Sequence, residues 1–164
     1  MTFTAADKIY DGTASASVSN CVIASGRIGS DDLTCSVSAG TFASSNASAS
    51  AQTVSATVTL GGAAAANYTV ANPATTTAMI NALAASVTPD AASKIYGTAD
   101  PTFSGSLSGF LAGDSVTASY SRAEGETVAG GPYAISATLS PSSVLGNYEI
   151  TYNVADFTIN EAPE

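Results

Sequence analysis

One short phrase is written twice in this chain, and its two copies constrain the fold more than any other feature. KIYDGTAS opens at Lys8 and KIYGTADP at Lys94, 86 residues later. The match runs past the phrase. ATVTLGGAAAANYTV at 56–70 has the layout of SATLSPSSVLGNYEI at 136–150: an alternating run ending in Leu, a loop, then Asn-Tyr opening another run. TAMINA at 77–82 aligns with DFTINEA at 156–162. Leu60 returns as Leu139, Asn67 as Asn147 and Ile80 as Ile159, at offsets of 79, 80 and 79 residues. The opening offset is larger because the first copy carries about six extra residues near its cysteines. Self-similarity at a fixed period marks a tandem array. The chain of 164 residues therefore reads as two units, 1–82 and 83–164.

Within each unit the hydrophobic period is two. Val54, Ala56, Val58 and Leu60 share one face of a strand; Tyr133, Ile135, Ala137 and Leu139 share another, as do Tyr148, Ile150 and Tyr152. Such alternation turns one row to a core and the other to water, as in antiparallel sheets. Gly-, Asn- and Pro-rich turns separate the runs. The Ala run at 63–66 is too short for more than a loop or a single helical turn, and nothing supports a long amphipathic helix. The expected fold is all-β: two tandem antiparallel β domains, each a sandwich of six or seven strands of Ig-like type. A β-grasp-like variant is the alternative. No flexible linker separates the units, since Leu83, Ala85 and Val87 already alternate, so a stiff end-to-end arrangement is expected.

Charge narrows the partners. Thirteen acidic against four basic residues give a net charge of −9, unsuited to nucleic acid or anionic membrane. No run approaches the length of a membrane span, and none reads as a signal peptide, with Met1 reading as a start codon added to a fragment. Cys21 and Cys35 lie in two strand-like runs around SGRIGSDD. Folded as a hairpin about Arg27–Ile28, these runs would bring the sulfurs into a disulfide; the other reading is two buried thiols.

DKIYDGTASAS at 7–17, DDLTCSVSAGTF at 31–42 and TVTLGGAAAANYTV at 57–70 resemble the YDG domain of large bacterial surface proteins. SKIYGTADPTFSGSLSGFLAGDSV at 93–116, with the later NYEITY, resembles the MBG (mostly bacterial Ig-like) domain. One departure is the turn of the first unit, which reads Gly29-Ser30-Asp31-Asp32 where a direct Gly-Asp-Asp is usual, and the cysteine pair is no part of the resemblance. The resemblance implies a non-enzymatic, extracellular module at the bacterial cell surface, found in long arrays in adhesins. An extender or stalk that projects a distal binding region is the expected function, and a directly adhesive module binding a glycan or host protein is the alternative. The implied partners are neighbouring repeats of the same chain and a receptor of the parent adhesin, with the fragment itself monomeric.

The residues themselves offer little chemistry. Without His, Ser-His and Cys-His nucleophile pairs cannot form. Asp31–Asp32 and Glu124/Glu126 fall in turns, where solvated charge is the ordinary role. Asp11, Asp90 and Asp100 are the candidate ligands of a calcium ion, by their oxygen chemistry alone; ordinary turn hydrogen bonding is the competing role, and no cofactor is otherwise implied. Lys8 with Asn81 and Lys94 with Asn160 have the placement of a first-to-last-strand amide crosslink. Tyr10, Tyr68, Tyr96 and Tyr148 recur at matched positions, which points to a shared core with each hydroxyl on a backbone partner; a sugar-stacking face is the other use.

Overall fold

A computed structural model describing all of residues 1–164 shows an all-β chain that divides into two compact units, Met1–Ala82 and Leu83–Glu164. Unit one contains β1 (Thr2–Ala5), β2 (Lys8–Ile9), β3 (Ser15–Ala16), β4 (Val18–Val22), β5 (Thr34–Phe42), β6 (Gln52–Gly61), β7 (Ala74–Ala78) and β8 (Ile80–Asn81). Its main sheet has the order β3-β5-β6-β7, with β1-β4 and β2-β8 as two smaller pairs. Unit two contains β9 (Leu83–Pro89), β10 (Ala92–Ile95), β11 (Gly105–Ser108), β12 (Thr117–Arg122), β13 (Tyr133–Ser140), β14 (Tyr148–Tyr152) and β15 (Ala155–Asn160). These form two sheets, β10-β15-β13-β12 and β11-β9-β14. A single short helical turn precedes the Asn-Tyr strand position in each unit, at Ala65–Asn67 and at α1 (Ser142–Leu145).

The alternating rows bury as their period requires. Val54, Ala56 and Val58 of β6 are buried, and so are Tyr133, Ile135 and Leu139 of β13. In unit two, Tyr133, Ile135, Phe157 and Ile159 form one core cluster, against which Phe103 and Tyr120 pack. Phe103 meets Phe157 edge-on at 5.5 Å between ring centroids, a favoured aromatic geometry. Each fully buried aliphatic or aromatic side chain contributes about 1.5–3 kcal/mol, so these rows fix which face of each strand points inward. The pattern frays at the sheet edge: β14 is an outer strand, and Tyr152 at its end is exposed.

Two expectations are corrected. The sheets are mixed rather than purely antiparallel. The opening phrase of each unit pairs parallel with its closing strand, Lys8 opposite Ile80 and Lys94 opposite Ile159, and β9 pairs parallel with β14. Side-chain period does not encode strand direction, so alternation alone could not distinguish these pairings. Nor do β4 and β5 form a hairpin. β4 hydrogen-bonds to β1, while β5 lies between β3 and β6. The Cys21–Cys35 disulfide, with its Cα atoms 5.6 Å apart, therefore joins strands of two different sheets.

Candidate functional site

The repeated Lys-Ile-Tyr phrase places its lysine on the inward face of a strand, opposite a buried isoleucine. An ammonium there needs several acceptors, because burying an unpaired charge is costly. Unit one supplies them locally. Lys8 Nζ donates to Asp11 Oδ1 at 3.0 Å, to the Thr13 carbonyl at 2.8 Å and hydroxyl at 3.1 Å, and to the Ser15 carbonyl at 2.8 Å. It lies 5.5 Å from the centre of the buried Phe42 ring. Asp11 also accepts the Thr13 N–H at 2.9 Å, closing a turn through Gly12, whose φ of +82° favours glycine. The Thr13 N–H, aided by the Lys8 ammonium, holds the Asp11 carboxyl down to about 2.

Unit two meets the same need with side chains from three segments. Lys94 Nζ lies 2.8 Å from Asp100 Oδ1 and 2.6 Å from Glu126 Oε2. Arg122 grips Asp100 in a fork, Nε to Oδ2 at 2.7 Å and Nη2 to Oδ1 at 3.2 Å, and reaches Glu126 Oε1 at 2.8 Å. Its Nη1 donates to the carbonyls of Ala123 and Gly125. The guanidinium covers the Phe157 ring at 4.7 Å and the Tyr133 ring at 5.4 Å. Two cations and two carboxylates thus form a charge-balanced cap on the aromatic end of the core. Arg122 and then Lys94 hold the Asp100 carboxyl down to about 2. Hydrogen bonds to Asp100 and then Glu126 raise the pKa of the Lys94 ammonium.

A second device recurs on the Asn-Tyr strand position. The Tyr68 hydroxyl donates to Asp31 Oδ2 at 2.6 Å and accepts the Ile28 N–H at 3.0 Å. The Tyr148 hydroxyl donates to Asp114 Oδ2 and accepts the Leu111 N–H at 3.0 Å. In both units the amide lies three residues before the aspartate. SGRIGSD at 25–31 therefore aligns without gaps on SGFLAGD at 108–114, and Asp31, not Asp32, is the counterpart of the Gly-Asp aspartate. Asp32 instead accepts the Ala63 N–H at 3.0 Å.

The four recurrent tyrosines do not share one environment. Tyr10 and Tyr148 are buried, Tyr68 is half-buried, and Tyr96 is 54% exposed, which corrects the expectation of a common core role. The calcium candidates are likewise dispersed over other tasks: Asp11 serves Lys8, Asp100 serves Arg122 and Lys94, and Asp90 accepts the Ser104 hydroxyl at 2.9 Å. No group of three acidic or thiol side chains is spaced to hold a metal. The crosslink geometry is also absent. Each lysine shares the inward face with Ile80 or Ile159, whereas Asn81 and Asn160, one residue on, point to the exposed face.

Family models match both units. A YDG domain model matches residues 1–78, and an MBG domain (YGX type) model matches residues 85–158. No curated protein and no solved structure matches the chain.

Proposed function

The chain is a YDG domain followed by an MBG domain, two non-catalytic domain families, and on that premise we propose that it is a non-enzymatic extender module of a bacterial surface adhesin. Such a module sits outside the cell, acts as a monomer beside neighbouring repeats of its own polypeptide, and holds a distal binding region away from the surface. The observation that carries this reading is that the chain builds the same two devices twice and spends its polar groups on them. Buried Lys94, half-buried Lys8, Arg122 and five of its aspartates are consumed in holding strands and turns together.

Small-angle X-ray scattering tests the spacing role. Two stiff units in line give a radius of gyration above ~20 Å, against ~15 Å for one compact globule of this length. A value near the lower figure would remove the extender role and favour the directly adhesive alternative.

A further inference from the structure

Arg27 is the one basic side chain of this chain outside an ion pair. Lys8, Lys94 and Arg122 are each held by a carboxylate. Arg27 has no such partner. Its Nη2 donates to the Leu33 carbonyl at 3.1 Å, which anchors the guanidinium and leaves the rest of its donors free. The residue is exposed, and it lines a cavity of about 480 Å³ on unit one. That volume is within the range of small-molecule sites.

The repeat shows what Arg27 replaces. The tyrosine device aligns Ser25–Asp31 with Ser108–Asp114, so Arg27 stands where unit two has Phe110. Phe110 packs on the Tyr148 ring, with centroids 4.8 Å apart and the planes tilted by 55°. In unit one a cation takes that place, and Tyr68 carries no such ring cover. Tyr68 lines the cavity together with half-buried Leu60 and Val70. Its hydroxyl is fixed by Asp31 and the Ile28 N–H, so the ring is held in place and the Asp31 carboxylate is engaged. The walls are also polar. Ser25 and Thr69 line the cavity with exposed hydroxyl side chains, and the backbone of 69–71 belongs to no strand and enters no backbone ladder.

We propose that this groove binds a carboxylated sugar residue of the hexuronic-acid class. The free donors of Arg27 take the carboxylate through paired N–H···O bonds, the strongest fit a guanidinium offers. The apolar C–H face of the pyranose lies on Tyr68, Leu60 and Val70. The sugar hydroxyls bond to Ser25, Thr69 and the backbone of 69–71. A plain fatty acid would satisfy Arg27 but leave those polar groups without partners, which costs affinity. Because Tyr68 is fixed before the ligand arrives, little order has to be created on binding. The ion pair is exposed on a protein of net charge −9, so added salt weakens it. The proposal goes beyond the extender role and does not rest on it.

The test titrates the whole ¹⁵N-labelled chain with methyl β-D-glucuronide, with the neutral methyl β-D-glucoside and with octanoate, following amide shifts by NMR. The glucuronide should move the amides of 25–28 and 68–71 saturably in the millimolar range, and the glucoside should bind on the order of ten-fold more weakly. Arg27→Gln should erase that preference while the resonances of unit two stay in place, and Arg27→Lys should restore part of it. Equal binding of the two sugars, shifts centred on other residues, or no saturable shift at all would overturn the proposal. Octanoate binding more tightly than the glucuronide would assign the groove to apolar acids, and would overturn it too.

Discussion

Asp100 holds two cations at once, and its titration shows how much of unit two depends on it. Its carboxyl is held down to about 2 by Arg122 and Lys94, below the ordinary value of 3.8. A carboxylate with a depressed folded-state pKa adds stability above its unfolded value, and that stability is lost as pH falls through the folded value. Asp11 is shifted in the same direction to the same level. Both units should therefore lose melting temperature between about pH 4 and pH 2, in thermal scans at fixed ionic strength. Asp100→Asn should remove most of that dependence from unit two and lower its melting temperature by several degrees at pH 7. Tyr148→Phe should cost unit two about 1–3 kcal/mol, because it strips the Leu111 N–H of its partner in a half-buried site; urea unfolding measures it. Some of this was legible in the sequence. A lysine on the inward row of a strand, repeated in an acidic chain, calls for a repeated acid, and Asp11 and Asp100 are the acids of the two opening loops. Arg122 and Glu126 gave no such signal, since Arg122 reaches Asp100 from 22 residues away and Glu126 reaches Lys94 from 32 residues away.

At the level of elements, the disulfide carries the clearest prediction. Cys21 on β4 and Cys35 on β5, 14 positions apart in sequence, close a loop that includes Ile28 and Asp31, both partners of Tyr68. Cys21→Ser with Cys35→Ser should destabilise unit one by roughly 2–4 kcal/mol through the freed unfolded chain. Unit two should keep its own unfolding midpoint, followed by the fluorescence or exchange of its residues. The strands themselves were readable because burial follows a period of two, as Val54, Val58, Ile135 and Leu139 show. Their partners were not. Pairing of Lys94 with Ile159 joins residues 65 apart, and the assignment of β4 to β1 depends on Thr2 and Thr4, in a segment with little hydrophobic contrast. Local pattern gives the face of a strand, while its neighbour is decided by tertiary packing.

For the whole molecule, calcium should have no effect. The three candidate aspartates are already committed to Lys8, to Lys94 with Arg122, and to Ser104. Melting curves recorded in millimolar Ca²⁺ and in EDTA should superimpose, and an upward shift with Ca²⁺ would show a site that the geometry lacks. The parallel pairing of opening and closing strands has a mechanical consequence. The chain enters β10 at Ala92 and leaves β15 at Asn160, and the two strands run in the same direction. Tension along the polypeptide pulls the start of one strand against the end of the other. All rungs of that ladder are then loaded together in shear, rather than opened one by one from an end, and β2 with β8 repeats the arrangement in unit one. Once past β9 in unit two, or β1 in unit one, a tug on the chain thus meets a ladder loaded in shear at the strand bearing the lysine.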